Sequence, residues 1–122
     1  MVEMKIYIGH SSSIDFRENL YKPLKKSSLI ENYDLVFPHE DSDGLFDSKS
    51  FLRDEADLMI AEVSRGSTGL GIELGWADMF DVKTVCVFRK GSNPSSSIKA
   101  LDYEELEYES KDKMVEKLER II

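Results

Sequence analysis

The sequence has a single cysteine and only two histidines in 122 residues. One thiol excludes a disulfide framework within the chain. Cys86 lies in the apolar run Thr84-Val85-Cys86-Val87-Phe88, where it reads as a small buried core residue rather than a nucleophile. With no third ligand spaced to join His10 and His39, a metal site is not expected. Positive charge is also scarce: 16 Lys+Arg stand against 24 Asp+Glu, a net charge of -8. That balance speaks against a general nucleic-acid or anionic-membrane surface, so an anionic ligand must be held by local donors. No apolar run nears the length of a membrane span, and no charged-then-apolar leader precedes the first strand. The expected location is cytoplasmic. There is no internal repeat and no low-complexity tract.

What is present is an alternation of short apolar strands and helical patterns, expected as one domain over residues 1–122. Residues 4–8 read as a first strand ending at Gly9-His10-Ser11-Ser12-Ser13. Residues 14–26 carry helical spacing with Ser12 or Ser13 placed to cap it and Pro23 placed to kink or end it. A second strand is expected at 34–37, an acidic turn-rich stretch at 41–45, a short helix at 48–55, and a third strand at 57–63. Residues 83–88 form a nearly continuous apolar run, as a strand covered on both faces would. A Gly/Ser/Pro loop at 91–97, a strand near 106–108 and an amphipathic helix at 111–121 close the chain. The charges of that last helix read as a solvated face. Elements in this order predict an α/β fold, a doubly wound sheet of about five parallel strands with helices on both faces.

The stretch Asp57 to Phe80 stands out. It reads as a buried strand, a Ser/Gly turn and a helix opening on Gly69-Leu70-Gly71, with Glu73 in its first turn. At 100° per residue, Leu70, Trp76, Ala77 and Phe80 surround Glu73, whereas Asp78, Gly71 and Gly75 fall on the far side. Glu73 thus sits within the apolar stripe, where an unpaired carboxylate costs several kcal/mol. Asp78 is the ordinary solvated charge of this helix. Glu62, closing the third strand, reads as a structural carboxylate orienting loop backbone or Tyr7.

In such a sheet the ligand site lies beyond the carboxyl ends of the strands. Three Ser/Gly-rich segments meet there: residues 10–13, 64–71 and 91–97. Their backbone N–H groups and hydroxyls can hold phosphate without net positive charge. His10 and His39 read as loop residues rather than acid–base groups.

The strings Ala56-Asp57-Leu58-Met59-Ile60-Ala61-Glu62-Val63-Ser64 and Ser67-Thr68-Gly69-Leu70-Gly71-Ile72-Glu73-Leu74-Gly75 resemble the nucleoside 2-deoxyribosyltransferase family, closest to its 2'-deoxynucleoside 5'-phosphate N-hydrolase branch. The likeness is strong from Asp57 to Arg89. It implies a flavodoxin-like, Rossmann-like scaffold, no cofactor, and a nucleotide as small-molecule partner. It also implies a homodimer or higher homo-oligomer with shared sites. Glu73 falls on the family's nucleophile, which attacks the anomeric carbon to give a glycosyl-enzyme ester. The helix N-terminus is expected to favour its anion. Ser67, six residues earlier, stands where the phosphate hydrolases have Ser and the nucleoside transferases an acid. Ser97 falls on a second phosphate-contacting Ser that the family supplies from a neighbouring subunit, and Tyr7 on a Tyr beside the sugar.

Gly9, His10, Ser11, Ser12, Gly69 and Gly71 complete the expected phosphate-binding set. The family's Gly- and Arg-containing loop after the first strand is replaced here by Gly9-His10-Ser11-Ser12-Ser13, so Arg17 and these hydroxyls are candidates for the grip. The family's second carboxylate falls on Lys49, leaving Asp47, or alternatively Asp54, for the leaving-base step. Three functions follow from this pattern: hydrolysis of 2'-deoxynucleoside 5'-monophosphates, base exchange by a deoxyribosyltransferase, and nucleotide binding without catalysis.

Overall fold

The computed structural model describes residues 3–40 and 46–122. The acidic turn-rich stretch expected at 41–45 lies outside the described residues. The elements run β1 (Lys5–His10), a π-helical turn (Arg17–Tyr21) leading into α1 (Lys22–Lys25), α2 (Leu29–Asn32), β2 (Asp34–Val36), α3 (Ser48–Asp54) and β3 (Leu58–Glu62). They continue with α4 (Thr68–Met79), β4 (Lys83–Arg89), a 3-10 turn (Ser96–Ala100), β5 (Glu104–Tyr108) and α5 (Lys111–Ile121).

The strands form one sheet in the order β2-β1-β3-β4-β5, and every pairing is parallel. This is the flavodoxin-like arrangement, whose order reverses between β1 and β3. Strand periodicity divides the core into two layers. Ile6, Ile8, Leu58, Ile60, Val85 and Val87 pack with Leu24, Leu29, Met114 and Leu118, under α1, α2 and α5. Tyr7, Met59, Ala61 and Cys86 pack with Phe51, Leu52, Leu70, Leu74 and Ala77, under α3 and α4. Cys86 is buried, and desolvation pushes its thiol up to about 12, so it is an inert core residue.

Three departures from the expected elements bear on the site. First, β1 runs on through Gly9 and His10, because these residues pair with Ala61 and Glu62 of β3. Second, the helix expected over 14–26 is broken. The N–H of Lys22 reaches Arg17 O, five residues back, and this widened turn carries the chain past Pro23, which has no N–H and crowds the preceding turn. Neither Ser12 nor Ser13 caps it: Phe16 stands at the N-cap without a side-chain bond, and Ser13 Oγ is 2.8 Å from Ser11 Oγ. Third, α2 and the 3-10 turn are additions to the expected elements. By contrast, α5 spans the residues expected, with Ser110 as its N-cap. Among the described residues no helix is long and apolar enough to cross a membrane.

Candidate active site

Ser67 caps α4, its Oγ accepting from Leu70 N at 3.2 Å. The helix therefore begins at Thr68, and Glu73 stands in its second turn rather than its first. Leu70, Leu74 and Ala77 bury the inner face, and Glu73 is half-buried beside them. From β1, Tyr7, only 1% exposed, donates its hydroxyl to Glu73 Oε2 at 2.5 Å. Phe46 and Phe51 each lie with ring centroids 5.9 Å from that of Tyr7.

Two residues along the same face comes Gly9. A Cβ there would lie 2.5 Å from Met59 Cε and 3.6 Å from Glu73 Oε1, so glycine lets the Met59 methyl pack against the strand beside the carboxylate. Burial pushes the Glu73 carboxyl above its ordinary value, against the Tyr7 and Ser48 hydroxyls and the charge of His39, which favour the anion. The expected helix-end effect fades within the first turn, and Glu73 stands in the second. Burial first, then the Glu73 charge, drives the Tyr7 phenol strongly upward, leaving it a fixed donor.

The candidate second carboxylates are occupied elsewhere. Asp47 is the N-cap of α3, accepting from Ser50 N at 3.2 Å, and this bond holds its exposed carboxyl below the usual range. That suits a hydrogen-bond acceptor rather than a proton donor. Asp54 pairs with Arg53 at 3.0 Å, and Lys49 Nζ lies 5.9 Å from the Trp76 ring centroid. The side chain of this segment that acts on Glu73 and Tyr7 is Ser48. Nothing in the local sequence marked it beyond its place after a capping Asp.

The loop after β1 turns largely away from Glu73. His10 is buried in the opposite layer, stacked on Phe16 at 4.2 Å between centroids. Its Nδ1 donates to Ser11 O at 3.0 Å, so Nε2 accepts from the Tyr21 hydroxyl at 2.6 Å. Desolvation lowers its pKa to about 4, and the neutral ring is a packing element, not the phosphate donor expected. Ser11 is buried against Ser13, whereas Ser12 is exposed. Arg17 donates to His39 O at 3.2 Å. His39, following β2, is half-buried.

A cleft of about 490 Å³ opens between the segments after β3 and β4, and its polar lining is Arg65, Ser67, Thr68, Ser95 and Ser97. Gly71 also lines it, whereas Gly69 does not. One chain therefore brings its own Ser67 and Ser97 to a common cleft. Leu70 lines the cleft and also stands 3.5 Å from where a Gly9 Cβ would be, so it borders both the cleft and the surroundings of Glu73.

Glu62, 3% exposed, anchors the cleft wall: it accepts from Ser64 N at 2.5 Å, from Ser64 Oγ at 3.0 Å, and from the Tyr108 hydroxyl. Of the two structural partners expected for it, loop backbone is the one engaged. Ser64 Oγ in turn accepts from Arg89 N at 2.8 Å, joining the ends of β3 and β4. Among the described residues no group of three His, Cys, Asp or Glu side chains is placed to hold a metal ion.

No family model matches the chain. A Homo sapiens 5-hydroxymethyl-dUMP N-hydrolase is 36% identical over 67 residues, which cover 46% of this chain and 38% of that protein. The chain thus spans well under half the length of the curated relative it matches. Among solved structures, the Clostridium botulinum CMP N-glycosidase superposes with a TM-score of 0.68 at 17% identity, over 94% of this chain and 98% of that one, which establishes the shared fold. Both are of the nucleoside 2-deoxyribosyltransferase-like family, and the resemblance carried by residues 57–89 stands.

Proposed function

We propose that the chain is an N-glycosidase that hydrolyses 2'-deoxynucleoside 5'-monophosphates, with Glu73 as nucleophile. The observation that carries this reading is the setting of Glu73: a half-buried carboxylate in an apolar layer, bonded by the Tyr7 hydroxyl at 2.5 Å. A carboxylate held in that way is positioned yet accessible, as a nucleophile must be. The phosphate end is supported by Ser67 and Ser97 in one cleft. Ser67 and Glu73 are separated by roughly 9 Å of helix axis. Glu73 leans back toward the N-terminus, which shortens that gap toward the span of a sugar 5-phosphate.

In the first step Glu73 attacks C1' and the base departs with the electrons of the C1'–N bond, taking up a proton. Lacking a 2'-hydroxyl, the sugar reaches its oxocarbenium-like transition state more easily. Asp47 is a helix cap and Asp54 is paired with Arg53, so neither is placed to give the base its proton. Water then cleaves the ester to give deoxyribose 5-phosphate and frees Glu73.

The test is release of free base from a panel of deoxynucleoside monophosphates that includes 5-hydroxymethyl-dUMP, with CMP added to probe the sugar. Glu73→Gln is expected to lower turnover by ~10³-fold or more, and denaturation during turnover to leave a deoxyribose 5-phosphate ester on Glu73 detectable by mass. Release of no base from any of them, or full activity in Glu73→Gln, rejects the reading. Adding a second free base and finding exchange would reassign the chain as a transferase. The capping role of Asp47 and the presence of Lys49 favour a second reading, a nucleotide-binding module without catalysis, which calorimetry would reveal as binding without turnover.

A further inference from the structure

We infer that Arg65 is the cation that holds the 5'-phosphate, making it the residue that selects nucleotides over nucleosides; this rests on the reading of the cleft as the phosphate end of the site. The cleft between the segments after β3 and β4 is lined by one charged side chain, Arg65, and by no carboxylate. In a chain with 24 Asp+Glu and a net charge of -8, a lining free of acids is a local departure from the average that favours an anion there. The hydroxyl residues Ser67, Thr68, Ser95 and Ser97 share the cleft lining with Arg65, a donor set matched to phosphate oxygens. Among the described residues no acid forms an ion pair with Arg65. The cation that the loop after β1 would supply is absent, since Arg17 is turned to His39 O.

The turn bearing Arg65 is built to hold it in place. The preceding residue, Ser64, has both its N–H and its hydroxyl bonded to the buried Glu62 carboxylate, and its Oγ also receives the N–H of Arg89. Glu62 is fixed from its other side by the Tyr108 hydroxyl. Arg65 therefore projects from a segment tied to β3, β4 and β5 together, and little order has to be imposed on its backbone when a ligand arrives. A guanidinium forks onto two phosphate oxygens where an ammonium offers a point charge, so lysine is only a partial substitute.

Calorimetry with 2-deoxyribose 5-phosphate and with 2-deoxyribose reads this without chemistry and without a choice of base. Arg65→Ala is expected to weaken binding of the phosphorylated sugar by about ten- to a hundredfold, the worth of charge-assisted bonds. Arg65→Lys should lie between, and inorganic phosphate should compete with the sugar phosphate in the wild type. In turnover, the preference for a nucleotide over the matching nucleoside should fall by a similar factor, through KM.

Equal affinity in wild type and Arg65→Ala, no detectable binding of either probe by the wild type, or a preference that does not change would each overturn the assignment. Melting curves establish that the variants are folded, and loss of fold in both Arg65→Ala and Arg65→Lys would mark Arg65 as structural and overturn it too. The two readings separate cleanly. Arg65-dependent binding with no base release leaves Arg65 standing and removes the glycosidase, whereas base release with Arg65-independent affinity does the reverse.

Discussion

Glu73 and Tyr7 form the pair on which the site turns, and each has a consequence that can be measured away from the other. Burial raises the Glu73 carboxyl above its ordinary value, so between the unfolded and folded pKa the native state binds more protons than the unfolded chain. Stability then falls as pH rises through that window, and the cost is fully present at neutral pH. Glu73→Gln removes it while leaving an amide oxygen for Tyr7. The melting temperature at pH 7 should rise, by about 3–5 °C for each kcal/mol relieved, with the gain vanishing below the ordinary carboxylate range. A melting series from pH 4 to 8 checks this; an unchanged or lowered melting temperature at pH 7 would contradict it.

Tyr7→Phe removes the donor that most favours the anion. The acid limb of kcat/KM should then move to higher pH and the plateau fall by about tenfold to a hundredfold, an effect visible in a pH–rate profile. Gly9, expected in a phosphate loop, is instead a strand residue of β1 on the face of Tyr7, where the Met59 methyl takes the place of a Cβ.

At the scale of elements, the two long helices begin with the same device. Ser67 accepts from Leu70 N at 3.2 Å and Ser110 from Lys113 N at 3.3 Å. Replacing either by Ala should cost about 1 kcal/mol of stability, the usual worth of a serine cap. Only Ser67→Ala should also raise KM for the phosphorylated substrate, because Ser67 lines the cleft and Ser110 heads α5 on the other layer. Denaturant melts and steady-state kinetics on the two variants side by side separate capping from binding. Equal kinetics in both would deny Ser67 a place at the phosphate.

The same scale explains the fate of residues 10–17. Their Ser- and Gly-rich character suits a phosphate loop, but His10 enters the aromatic cluster of Phe16 and Tyr21. The hydroxyls of Ser11 and Ser13 are spent on each other.

For the whole molecule, Ile72 and Met79, 47% and 63% exposed, lie on the outward face of α4, Ile72 at the border of the cleft, and we propose that two copies of the chain meet on this face. Light scattering should give a dimer mass for the wild type and a monomer mass for Ile72→Glu, with the isolated fold intact by circular dichroism. A monomeric wild type would refute the placement.

The flavodoxin-like order was implied by the family resemblance. Within one chain, hydrophobic periodicity was enough to determine the alternating strands and helices, with them a parallel sheet covered on both faces, and Glu73 as a carboxylate in an apolar stripe. These are local properties, since a strand or helix face is written in residues two, three or four apart. Which groups meet Glu73 was decided only by tertiary structure. Tyr7 is 66 residues away, Ser48 comes from the start of α3, and Asp47 is diverted to a helix cap three residues from its partner. Side-chain hydrogen bonds of this kind depend on how the sheet register and the α3–α4 packing align distant segments, and no spacing along the chain encodes that alignment.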